Sequence, residues 1–164
     1  MRRVLHLLLL CSFATAAIAA DNAGSMLASG RVDDAITTLR GELNGSPANA
    51  EAHNLLCRAY FTLEDWDRGI SACERAVELE PGNSTYHLWL GRIYGEKADA
   101  SSFITAAGLA KKVRTEFERA VQLSPQNVAA RTDLAEFYLE APGIVGGGQD
   151  KARNQAQTTV AGDR

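Results

Sequence analysis

The 164-residue sequence has little cysteine, little proline and no block of like charge, and each shortage excludes something. Its three cysteines, Cys11, Cys57 and Cys73, form no C-x-x-C or C-x-x-C-H, and no H-E-x-x-H occurs, so neither zinc nor haem has a motif and no metal or cofactor is expected. With 17 Lys and Arg against 20 Asp and Glu the formal net charge is −3, and no basic tract is available to neutralise phosphates. Nucleic acid is therefore not an expected partner. Long apolar runs are also missing. The one candidate, residues 4–13, is shorter than the ~20 apolar residues that a membrane-spanning helix requires. Arg2 and Arg3 precede it and Ala17-Ile18-Ala19 follow it, the layout of a secretory signal peptide over residues 1–20, with cleavage expected after Ala19 or Ala20. Leu10 stands before Cys11 where a lipid-anchored leader wants a small residue, so no anchor is expected. The mature chain is expected to be exported, periplasmic or secreted, without stable membrane insertion, and loss of Arg2 and Arg3 takes its formal charge to −5.

What is present is helical periodicity. Apolar residues make up 46% of the chain, enough for one domain with a modest core. In residues 50–83, AEAHNLLCRAYFTLEDWDRGISACERAVELEPGN, Leu56, Tyr60 and Leu63 share one helical face. Ile70, Cys73, Ala76, Val77 and Leu79 share a face of the next segment. Leu63-Glu64-Asp65-Trp66 is the turn between them, with Asp65 placed to cap the second helix, and Pro81-Gly82-Asn83 stops that helix. Gly69 and Ala76 are small where two antiparallel helices must approach.

Slot by slot this block resembles a tetratricopeptide repeat (TPR), W-x₂-L-G-x₂-Y…A-x₃-F…P, with His53, Leu56, Cys57, Tyr60, Gly69, Cys73, Ala76 and Pro81 in the successive slots. With the leader, the chain looks like an exported bacterial-type member of that family. The resemblance implies an all-α, helix-turn-helix solenoid of about three repeats, which bury their apolar faces only by stacking on one another. It implies a non-catalytic protein- or peptide-binding module.

The organisation follows from the same register. Residues 21–49 read as a partial first repeat, residues 50–83 as a full repeat, residues 84–127 as a repeat with a ten-residue insertion, and residues 128–164 as a divergent repeat with a glycine-rich loop and polar tail. The insertion lies between Tyr94 and Val113, and the second helix of that repeat is expected to start near Ser102 and project about two turns beyond an ordinary one. From Gln157 onward no capping helix is visible, which leaves a last apolar face for fraying or for a partner.

Candidate chemistry is sparse. Gly146-Gly147-Gly148 precedes a helix start but lacks Gly-Lys-Ser/Thr, and Asp150 would repel an anion, so a structural turn is expected. His53 and His87 occupy the same repeat slot and are expected to pack rather than bind metal. Cys57 and Cys73 sit on facing core slots of an exported chain, either as a disulfide or as two buried thiols. No nucleophile stands beside a base at a loop, so no enzyme activity is expected. Under the family resemblance, the first helices line a concave groove, for which the candidates are Asn54, Arg58, Phe61, Leu88, Arg92, Glu96 and Glu136, all expected to be exposed. Arg58 and Arg92 side by side, with Phe61 adjacent, suit an acidic or C-terminal carboxylate flanked by an apolar side chain. The alternative is a structural subunit of an envelope complex that docks through its C-terminal face.

Overall fold

Three asparagines mark the repeat. Asn49, Asn83 and Asn127 each accept, through the side chain, a backbone N–H of the helix that follows, from Ala52, Thr85 and Ala130. The computed structural model describes residues 23–162, with side chains described through Gln155. The expected leader and its cleavage site lie outside the described residues. Helical residues 23–28 (α1) are followed by α2 (Val32–Gly45), α3 (Ala50–Thr62), α4 (Trp66–Leu79), α5 (Ser84–Asp99), α6 (Phe103–Leu123), α7 (Val128–Glu140), a 3₁₀ turn (Gly143–Val145) and α8 (Gln149–Gly162). Among the described residues there is no strand, and no helix is long and apolar enough to cross a membrane.

From α3 onward, each odd-numbered helix packs against the even-numbered helix that follows it and the one that precedes it. In addition α3 touches α5 and α5 touches α7, whereas α2, α4 and α6 do not touch one another. The first helices of successive pairs therefore lie on the inner, shorter side of the curve, and their outward faces form its concave surface. The core runs continuously through the stack, with Leu39, Ile93 and Leu134 fully buried in three different pairs. Burial of one such side chain contributes about 1.5–3 kcal/mol. Gly91 lies where α5 and α6 approach closely, since a Cβ there would stand 2.5 Å from the Phe117 ring.

Polar groups repeat in the same register. His53 and His87 reach, through Nε2, the carbonyls of Pro47 and Pro81 at 3.0 and 3.1 Å, and Arg131 donates to the carbonyl of Pro125 in the corresponding place. The Tyr94 and Tyr138 hydroxyls donate to Glu74 and Glu118 at 2.6 and 2.7 Å, and Tyr60 accepts from Arg40 at 2.7 Å in the equivalent pair. These bonds tie the first helix of one pair to the second helix of the pair before it. Cys57 and Cys73 are joined by a disulfide that closes α3 on α4, with Cα atoms 5.2 Å apart.

The ten extra residues lengthen α5 and α6 together. α6 has 21 residues where α4 has 14, and it buries Val113, Phe117 and Ala120 only in its C-terminal half. Its first turns carry Phe103 and Ile104, which are 79% and 85% exposed. The glycine loop after α7 folds back on itself. The Gly146, Gly147 and Gly148 N–H groups donate to the carbonyls of Gly143, Pro142 and Tyr138, and Val145 is tucked into the fold. A Cβ at Gly147 would collide with the Ala141 carbonyl. α8 then continues through Gly162, beyond the point where the sequence suggests a tail without a capping helix. Residues 150–161 contain neither proline nor glycine to end it.

Candidate functional site

The concave surface is built by α3, α5 and α7, and its side chains meet across the helix pairs. Trp89 of α5, half-buried, belongs to an aromatic cluster. Phe61 lies edge-on to it at 5.6 Å between centroids, and Trp66 lies edge-on to Phe61 at 5.9 Å. The Arg58 and Arg92 guanidinium carbons stand 5.0 and 4.8 Å from the centre of the Trp89 ring, cation–π distances. Arg58 and Arg92 thus share one aromatic plate, as neighbouring helix positions on stacked pairs allow.

Their charges are not equivalent. Arg92 donates from Nε and Nη2 to the Asp133 carboxylate of α7, at 2.6 and 3.4 Å. Arg58 has no carboxylate partner among the described residues. One repeat rule covers both: the arginine slot of one pair reaches a fixed slot of the next, which is Trp89 for Arg58 and Asp133 for Arg92. The twin-arginine cation expected from the sequence is therefore one available guanidinium and one neutralised guanidinium.

Two candidates are not on the surface. Asn54 is 1% exposed and Leu88 3% exposed, because α3 and α5 touch directly and their contact seam runs through these positions. The expectation that both are exposed is corrected accordingly. The Asn54 Nδ2 is buried with no hydrogen-bond acceptor. Phe61, Glu96 and Glu136 do reach the concave side, where they help to line a cavity of about 580 Å³ together with Arg92. The cavity lies where the lengthened α5–α6 hairpin faces α7 and the glycine loop, and Ala106, Ala107 and Ala110 of α6 give it an apolar floor.

Other groups are engaged structurally. His87 is buried, with Nδ1 2.6 Å from a Glu116 carboxylate oxygen and Nε2 on the Pro81 carbonyl. The glycine-loop N–H groups are used in the turn, which leaves no anion nest there. Asp65 caps α4 and is also bonded by the Arg68 Nε at 2.6 Å, and that side-chain bond is the main cause of its depressed pKa.

Comparison with known proteins matches residues 26–93 to a tetratricopeptide-repeat family model. Residues 26–93 carry tetratricopeptide repeats, and the chain has the fold of a TPR-like helical solenoid. Among solved structures it is similar to a thermophilic TPR protein of Thermus thermophilus, with 18% identity and a TM-score of 0.74 over 89% of this chain and 73% of that one. It is also similar to MamA, with 20% identity and a TM-score of 0.71 over 98% and 85%. The first TPR of Spaghetti (RPAP3), bound to the HSP90 peptide SRMEEVD, gives 20% identity and a TM-score of 0.64 over 74% and 89%. At these identities the likeness is one of fold. A curated relative, sperm-associated antigen 1 of Rattus norvegicus, is 30% identical over 112 residues, and the chain spans 11% of its length.

A TPR fold of this kind is a protein-interaction scaffold, generally without catalysis of its own. Within it, Trp89 and Asp133 are the site residues that the sequence reading passes over. Both were findable, because adding the ten-residue insertion to the repeat length places them in one slot, adjacent to the arginines of the preceding pair.

Proposed function

We propose that this TPR chain is an exported, non-catalytic adaptor that holds a segment of a protein partner on its concave face. The observation that carries the reading is the Arg58–Trp89–Phe61 platform, a charge without a carboxylate partner beside a half-buried aromatic cluster on the inner curve of the stack. A guanidinium beside an aromatic face suits a peptide carboxylate or carbonyl flanked by an apolar side chain. That a TPR of similar fold is bound to the peptide SRMEEVD supports the type of ligand. Here a single arginine is available, so one carboxylate contact is expected rather than a clamp. The Cys57–Cys73 disulfide supports an oxidising compartment, periplasmic or extracellular.

The test is chemical crosslinking in the native compartment followed by purification, with Arg58→Ala/Trp89→Ala as comparison. Loss of the captured partner with unchanged helicity supports the concave site. Unchanged capture removes it. N-terminal sequencing of the purified chain tests export, and a chain that still begins at Met1 contradicts cleavage.

A further inference from the structure

We propose that the ten-residue insertion builds a second subsite, the cavity between the α5–α6 hairpin and the glycine loop, which seats an apolar side chain of a partner peptide flanked by lysine or arginine. The inference rests on the proposed function in one respect, that the partner is a peptide lying along the concave face. The cavity opens onto that face through Phe61 and Arg92, so a peptide held at Arg58 and Trp89 can continue into it.

The size and the apolar lining suit a side chain. A volume of about 580 Å³ falls in the usual range of ligand sites, roughly 300–1,000 Å³. Alanines leave room above the α6 floor, and Val113 and Phe117 close its inner end. At the mouth stand Phe103 and, from the loop opposite, Ile144, which is 78% exposed. Each leaves apolar area in water that covering by a partner would remove, which favours binding. The insertion thus places apolar surface where an ordinary repeat, with its shorter second helix, has none.

The charge selects the partner. The lining holds five carboxylates and one cation, Arg92, and that cation is bound to Asp133. Glu96 and Asp99 from α5 and Glu136 and Glu140 from α7 have no cationic partner among the described residues. Four carboxylates around an apolar floor attract lysine and arginine and repel an acidic peptide or an anionic lipid surface. The concave face is therefore polarised, with the Arg58 cation at one end and the acidic rim at the other, and it orients a peptide of opposite pattern.

The probes are two synthetic 15-residue peptides with leucine and phenylalanine at the same helical spacing, one with lysine and arginine at the polar positions and one with glutamate there. Binding to the full chain, disulfide intact, is read by fluorescence anisotropy. The basic peptide should bind saturably, and the acidic one should not. Ala107→Trp, which fills the floor, should weaken binding at least about 10-fold, the equivalent of removing one well-buried anchor. Glu96→Gln/Glu136→Gln/Glu140→Gln should weaken it several-fold and flatten its salt dependence, and Glu78→Gln, exposed on α4 and away from the concave face, should leave it within about two-fold. Equal binding of both peptides, or binding that survives both cavity variants, overturns the inference. So does dimerisation of the free chain that is abolished by Ala107→Trp, which gives the cavity to a second copy. If the basic peptide fails while partner capture still depends on Arg58 and Trp89, the second subsite falls and the concave-face reading stands. Loss of that dependence with the peptide result intact overturns the concave platform alone.

Discussion

The two halves of α6 have the same helical backbone and opposite surroundings. Its C-terminal half carries Val113, Phe117 and Ala120 into the contact with α5, while its N-terminal half holds Phe103 and Ile104 out into solvent. Helical spacing of apolar residues is continuous across both, so periodicity alone does not tell burial from exposure. What differs is the neighbour. The inner half buries its large side chains in the core, whereas the outer half has the lengthened end of α5 on one side and the open cavity on the other.

The largest expected effect breaks this comparison directly. Phe117→Ala should destabilise by about 3–5 kcal/mol, as truncation of a buried aromatic does, while Phe103→Ala should change stability by less than about 0.5 kcal/mol. Urea unfolding of both variants checks it. Equal losses would mean that the outer half is packed. Next comes the disulfide, which closes a loop of separation 16 within one helix pair. Cys57→Ser/Cys73→Ser should cost about 3 kcal/mol, chiefly by freeing the unfolded chain, and unfolding under reducing and oxidising conditions should differ for the wild type only.

Gly91→Ala is expected to cost about 1–2 kcal/mol, because overpacking against the Phe117 ring exceeds the helix-propensity gain of about 1 kcal/mol. At Gly108, on the exposed stretch of α6, a Cβ meets nothing within 4 Å, and Gly108→Ala should stabilise by up to about 1 kcal/mol. Thermal melts of the pair should move in opposite directions. If both stabilise, the close approach of α5 and α6 is wrong.

The smallest effect is in pH. Burial first, then the bonded carboxylates Glu74 and Glu118, pushes the Tyr94 and Tyr138 phenols up from their ordinary value of about 10. Above pH 10 the unfolded chain releases these protons while the folded chain retains them. Their contribution is therefore present below that pH and declines as pH rises through it. Melting temperature should fall between about pH 10 and 11, and Tyr94→Phe should shallow that fall. An unchanged slope would mean that Tyr94 is not held neutral by its site.

Much of the fold was legible because local chemistry repeats. Asparagine caps, proline stops and the Tyr60–Tyr94–Tyr138 slots recur in register, and the long second helix could be placed from where Ser102 and Phe117 fall. The site was less legible. Exposure of Asn54 and Leu88 depends on how closely α3 approaches α5, a tertiary distance that no single helix encodes. The pairing of Arg92 with Asp133 required counting across the insertion, and the cavity required knowing that the glycine loop turns back toward α6 rather than away.

A partner on the inner curve of the stack would contact first helices and not second helices. A photo-crosslinking residue placed at Phe61, on the concave side, and separately at Glu78, exposed on the second helix of the same repeat, tests it within one repeat. A discrete crosslinked partner is expected from position 61 that is absent from position 78 and is lost on Arg58→Ala/Trp89→Ala. The same adduct from position 78, or adducts from position 61 that ignore the double change, would contradict it.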